Sequence, residues 1–122
     1  MNEYYILIDR QAQPSQLNGV TMWRLTFQGL MSNRIVEMTV DNSYRNFHRS
    51  GWAHVVTAEQ PWGVYNTLRL TAKTTRRGVP VVSADSPAEI IYRCRDHAEA
   101  VALAEASLRH NTPAEQFENL FE

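Results

Sequence analysis

A chain of 122 residues is long enough for one domain whose core needs no staples. Its 43% hydrophobic and 20% charged content excludes a disordered chain, and a lone cysteine, Cys94, excludes an internal disulfide and favours a reducing compartment. The net charge of −1 excludes a uniformly basic protein but conceals a polarity: residues 1–95 carry eleven basic against seven acidic side chains, whereas residues 96–122 carry Arg109 against six acids.

Glu3–Asp9 (EYYILID) is rich in aromatic and β-branched residues and reads as a strand. No basic leader precedes it, so no signal peptide is expected, and no apolar run approaches the ~18 residues of a membrane span. Gln11–Gly19 is polar, carries a proline and ends in Asn-Gly, which predicts a loop. From Val20 the period is two. Trp23, Leu25 and Phe27 share one face, and Arg24, Thr26 and Gln28 the other. Gly29 suggests a bulge and Ser32-Asn33 a hairpin turn, after which Ile35–Val40 returns with Val36, Met38 and Val40 inward.

Asp41–Ser50 is compatible with one capped helical turn, and Gly51–Ala58 reads as an extended segment. Gln60-Pro61-Trp62-Gly63 is a turn that places Trp62 at least half outside. Val64–Lys73 alternates again, with Val64, Asn66, Leu68, Leu70 and Ala72 on one face and Tyr65, Thr67, Arg69, Thr71 and Lys73 on the other. Thr74–Gly78 is a basic turn, and Val79–Ser83 a short last strand.

Two capping boxes follow. Ser86-Pro87-Ala88-Glu89 has a hydroxyl cap, a proline at the first helical position and a glutamate at the third; Asp96-His97-Ala98-Glu99 repeats the logic and opens a helix over Ala98–Arg109. Between them Ile90–Cys94 fits helix or strand equally. Asn111-Thr112-Pro113 ends the helix, which leaves residues 1–110 as the domain and 111–122 as a separate acidic tail. Five or six short strands with one late helix predict a β-rich α+β fold. The best single candidate is a small antiparallel barrel of OB type, and the runner-up a twisted antiparallel sheet packed on one long helix. Edge strands, where such a sheet stays open, offer a route to a homodimer.

Enzyme and metal signatures are absent. There is no phosphate-binding glycine loop, no H-E-x-x-H and no C-x-x-C, and His48 and His54 have no third ligand at metal spacing. Asp85 and Glu89 are explained by capping and Cys94 by burial, so neither catalysis, nor a cofactor, nor a metal is expected.

Ser43–Arg77 is the stretch with chemical character. Five aromatic residues (Tyr44, Phe47, Trp52, Trp62, Tyr65) are interleaved with six basic ones (Arg45, Arg49, Arg69, Lys73, Arg76, Arg77), and Glu59 is its one acid. Eleven of the twelve basic residues of the chain are arginine, which binds phosphate with a planar fork and stacks on rings. Coding bias toward arginine explains the excess equally well, but not its placement. Trp52 and Phe47 suit the core. Trp62 and Tyr65 are placed to stack bases, and Arg45, Arg49, Arg69, Lys73, Arg76 and Arg77 to neutralise phosphates, in the manner of single-strand binders.

The tail is the second signal. Phe117, Leu120 and Phe121 stand at i, i+3 and i+4 among Glu115, Glu118 and Glu122. That pattern fits a helix laid in a partner's groove, or equally a last turn docked on its own domain.

A basic OB-like body followed by a short acidic, phenylalanine-bearing C-terminus resembles the single-stranded-DNA-binding proteins of bacteria and phages. The resemblance covers the layout of the chain, not a shared signature; the tail ends Leu-Phe-Glu, and the helix Ala98–Arg109 is additional to the usual barrel. It implies a cytoplasmic, non-catalytic protein that binds single-stranded nucleic acid, DNA in the first instance. It also implies a tail (Phe117, Leu120, Phe121) that recruits replication or repair partners.

A different class fits the same residues. Tryptophan, tyrosine and arginine are enriched in protein hot spots, so a small adaptor or inhibitor, such as a phage-encoded antagonist of a host protein, is the alternative.

Overall fold

The computed structural model describes residues 3–14, 21–41 and 51–110. The first half is a meander of three antiparallel strands, β1 (Tyr5–Pro14), β2 (Thr21–Gly29) and β3 (Ile35–Asp41). The β2–β3 hairpin is as its alternation predicts. Gly29 N donates to Arg34 O at 2.9 Å, and Asn33 adopts the left-handed conformation (φ 59°) that a tight turn requires. β1 is longer than expected, because Gln11–Pro14 continue the ladder opposite Thr21–Arg24 instead of starting a loop. Between Leu7 and Asp9 the register shifts, so Ile8 is an extra, bulged residue.

Gly51–Ala58 is not extended. Gly51–Thr57 forms a helix, α1, because Trp52, Val55 and Val56 stand at i, i+3 and i+4 and bury one face, while His54 and Thr57 stay outside. Its β-branched valines argue for a strand, but burial of that face overrides propensity. Seven residues leave most carbonyls unpaired. The Arg10 guanidinium, 45 to 48 residues away, donates Nη1 bonds to Val55, Val56 and Ala58 at 2.9, 3.2 and 2.7 Å.

The predicted strand Val64–Lys73 is two strands, β4 (Gly63–Tyr65) and β5 (Leu70–Thr74). At the link between them Asn66 N donates to Glu89 O, and the Arg69 main chain bonds Ser86 Oγ and Ser83 N. The first capping box is thereby corrected. Ser86 is buried and uses its hydroxyl on Arg69, and no helix starts there. β6 (Pro80–Val82) follows the basic turn, and Ile90–Arg93 resolves as a strand, β7. β4 needs glycine at position 63, which sits at φ 155° where a Cβ would run into the Tyr92 carbonyl.

The second capping box forms. Asp96 Oδ1 accepts from Glu99 N at 2.9 Å, and the helix α2 runs from His97 to His110.

The described strands form one open, seven-stranded sheet in the order β5-β6-β3-β2-β1-β4-β7, with β3 and β6 parallel and the other pairs antiparallel. β1 lies near its centre and has two buried faces. Tyr5 and Leu7 enter the main core with Leu25, Phe27, Met38 and Trp52; Ile6 points the other way, into a smaller core with Val64, Cys94, Ala100 and Ala104 under α2. Each fully buried aliphatic or aromatic side chain contributes about 1.5–3 kcal/mol. No helix among the described residues is long and apolar enough to cross a membrane.

Candidate nucleic-acid interface

The residues expected to form one track lie in three places. Arg45 and Arg49, and the tail anchors Phe117, Leu120 and Phe121, lie outside the described residues. Tyr65 is in the core, and Trp62 beside the start of β4. Arg69, Lys73, Arg76 and Arg77 lie on the β5–β6 arm.

Tyr65 is 2% exposed and corrects the expectation that it stacks a base. Its ring meets Phe27 edge-on at 5.7 Å and Trp52 near-parallel at 6.5 Å, and Phe27 meets Trp52 edge-on at 5.9 Å. The hydroxyl is satisfied inside the protein by Pro61 O at 2.5 Å. Burial pushes its phenol up to about 12, with Arg93 and Arg10 pulling the other way. A tyrosine facing out on an alternating strand was the wrong reading because β4 is buried on both faces.

Trp62 is half-buried and engaged on the protein itself. The His97 ring lies 4.3 Å away and tilted by 39°, and the Arg10 guanidinium lies 5.8 Å from Trp62 and 5.5 Å from Trp23. His97 Nε2 bonds the Ile8 carbonyl at 2.7 Å; a carbonyl only accepts, so Nε2 carries the proton. Burial lowers the pKa of Arg10, with Tyr65 partly compensating. This arginine between two tryptophans was not singled out in the sequence, since its partners lie 13 and 52 residues along the chain. Its three bonds to the last carbonyls of α1 and to Ala58 just after it make it a structural cation.

The arm from Arg69 to Ser83 carries four cations and no acid. All four side chains are exposed, and beyond Leu70 and Thr71 strand β5 is exposed on both faces, while Leu70 and Val82 anchor the base of the arm to the main core. Arg77 pairs with the buried Glu37 carboxylate at 2.5 Å while remaining 62% exposed. No ion pair engages Arg69, Lys73 or Arg76 among the described residues. The turn is fixed by Thr75, whose N donates to Val79 O, whose O accepts from Gly78 N and whose Oγ1 accepts from Arg77 N and Val79 N. The parallel register Glu37↔Val81 brings this turn to the end of the sheet where β3 begins. Arg34, which the sequence did not single out, is exposed at the same end.

Among the described residues no cluster of three histidine, cysteine or acidic side chains could hold a metal. Cys94 is buried, and burial, with Glu99 and Asp96 nearby, pushes its thiol up and disfavours the thiolate. A hollow of about 220 Å³ is walled by Val55, Pro61, Tyr65 and Ile90 with His54 and Arg93 among its lining.

No family model, curated protein or solved structure matches the chain.

Proposed function

We propose that the protein binds single-stranded nucleic acid without catalysis, DNA in the first instance, and that it grips phosphates through the β5–β6 arm. One observation carries the reading: an acid-free arm whose cations Arg69, Lys73 and Arg76 are exposed and unpaired among the described residues, with Arg77 beside them. Arginine and lysine held on the exposed end of a hairpin can follow a flexible phosphate backbone.

An OB-like, partly open barrel is the finer fold reading. α1 lies between β3 and β4, and β6 runs parallel to β3. β4 pairs with β1 and β5 with β6, at opposite ends of the strand order, yet four residues of chain join β4 to β5, a short link that supports a curled sheet. OB-folds hold oligonucleotides between a strand face and its flanking loops, and the arm would be such a loop. With Tyr65 internal, the phosphates carry the affinity, and a role for bases falls to Trp62 alone among the residues first chosen.

Oligo-dT anisotropy across a salt series tests this. Three or four neutralised phosphates give a slope of log K against log salt of about −2 to −3. Binding that cannot be detected at low salt overturns the proposal. The recruiting role of Phe117, Leu120 and Phe121 rests on sequence, and is tested by whether deleting residues 111–122 abolishes partner capture without weakening oligo-dT binding.

A protein adaptor is the second reading, favoured by Tyr4 and Met31, 48% and 58% exposed. They line a hollow of about 440 Å³ beside Glu3, Leu30 and Asn66. A stoichiometric protein retained from nuclease-treated lysate, lost on Met31→Glu, selects this reading.

A further inference from the structure

The hollow of about 220 Å³ is built where β7 breaks its alternation. Gly63 stands opposite Arg93 and Val64 opposite Tyr92, but Tyr65 stands opposite Ile90, so Ile91 is an extra residue. Residues three apart on a regular strand point to opposite faces. The bulge instead brings Ile90 and Arg93 to the face of Tyr65, and all three line the hollow. α1 and the residues after it contribute His54, Val55, Ala58 and Pro61. The chemistry of this lining is one-sided. Apart from the internal phenol of Tyr65, its polar side chains are the exposed His54 and Arg93, and no carboxylate is among them. The main-chain acceptors of the wall are occupied: the Val55 and Ala58 carbonyls take the Arg10 guanidinium at 2.9 and 2.7 Å, and the Pro61 carbonyl takes the Tyr65 hydroxyl. No ion pair engages Arg93 among the described residues. Its charge is nonetheless felt inside, since burial raises the Tyr65 phenol and Arg93 is the leading influence against it.

We propose that this hollow binds a small organic carboxylate, one aromatic ring or one branched alkyl chain bearing a single acid group. Val55, Ala58, Pro61, Ala88 and Ile90 take the apolar body. The Arg93 guanidinium grips the carboxylate through two parallel N–H bonds, and the His54 ring supplies a further N–H. Size sets the class of ligand. A volume of about 220 Å³ lies below the ~300–1,000 Å³ of sites for drug-sized molecules and matches the liquid volume of about seven waters. Charge sets the head group: one guanidinium balances one negative charge, which favours a monocarboxylate over a phosphate dianion. The hollow shares no residue with the β5–β6 arm, so this site stands or falls apart from nucleic-acid binding.

Nuclear magnetic resonance titration of the isotope-labelled full chain with benzoate and with isovalerate tests this. Saturable shifts centred on the amides of Ala58, Ala88, Ile90 and Arg93 are expected for at least one of the two acids. Benzamide, which has the shape of benzoate without its charge, should bind about tenfold or more weakly. Arg93→Gln should weaken the acid by about tenfold or more, and Arg93→Lys, which keeps the charge without the fork, should fall between. Ala88→Leu, which fills the hollow, should abolish binding; should it fail to fold by circular dichroism, the two exposed-site variants of Arg93 decide. Neither acid binding saturably overturns the proposal, as does binding indifferent to Arg93→Gln. Phenyl phosphate bound more tightly than benzoate overturns the choice of a carboxylate.

Discussion

The Tyr65 hydroxyl donates a 2.5 Å hydrogen bond to the Pro61 carbonyl, four residues earlier, and so closes the turn that carries Trp62. Tyr65→Phe leaves that carbonyl without its donor and is expected to cost about 1–2 kcal/mol in urea unfolding at pH 8. Because burial holds the phenol near 12 against an ordinary value of 10.0, its contribution is present below pH 10 and is lost as pH rises through 12. The wild-type protein therefore loses stability over that window, and the phenylalanine variant loses less. Ultraviolet difference titration of the two proteins should show one late tyrosine ionisation missing from the variant. Oligo-dT binding should not change, since the side chain is internal.

The arm makes an opposite prediction, altered binding with unaltered stability. Lys73→Gln and Arg76→Gln should each flatten the salt slope by about 0.7, the value of one phosphate on a single strand. Both side chains are exposed, so unfolding should move by no more than about 0.5 kcal/mol. Glu37→Gln should steepen the slope instead, because it releases Arg77 from its ion pair. An unchanged slope in all three would place the nucleic acid elsewhere.

Glu3 ties the chain start to the β2–β3 turn. Its carboxylate accepts from Met31 N and Ser32 N at 2.9 Å each and from Ser32 Oγ at 2.6 Å. Burial raises its pKa, but the bonds from Ser32, Met31 and Tyr5 together outweigh burial, and the net shift is downward. The stability it gives is therefore present above the ordinary carboxylate value of 4.5 and is lost as pH falls through the lower folded value. Glu3→Gln should cost about 1–2 kcal/mol at pH 7 and show a shallower acid limb in thermal melts. Gly29→Ala tests the same contact sterically, because its Cβ would stand 2.6 Å from Glu3 Oε1; about 1–3 kcal/mol is expected.

Arg10→Lys keeps the charge and loses the planar guanidinium. Lysine lacks the flat guanidinium that lies over Trp23 and Trp62 while its Nη1 reaches the Val55, Val56 and Ala58 carbonyls, so about 2 kcal/mol should be lost, together with the near-ultraviolet circular dichroism of Trp23 and Trp62.

The β2–β3 hairpin and α2 were legible because each announces itself locally, by alternation in one and an Asp96 cap in the other. α1 was not, since its stop signal is Arg10 on a distant strand and its valines favour extension. Tyr65 was misplaced for a related reason. Alternation from Val64 to Lys73 is continuous in the sequence, but the chain bends at Asn66–Arg69, where bonds to Ser83, Ser86 and Glu89 reset which way side chains point. The basic arm survived this reset because a turn with Arg76-Arg77 is exposed in either register. Ser86 shows the converse: a residue with the chemistry of a cap serves a strand when the nearest unpaired groups belong to one.

The bulge at Ile8 gives the order of synthesis a physical meaning. It turns the Ile8 carbonyl to His97, 89 positions later, while Ile6 waits on the same strand for Ala100 and Ala104. On a ribosome, β1 can pair with β2, and β2 with β3, long before the second face of β1 has anything to cover it. A nascent chain halted before residue 97 should therefore remain open to proteases, and become resistant only when α2 has emerged and settled.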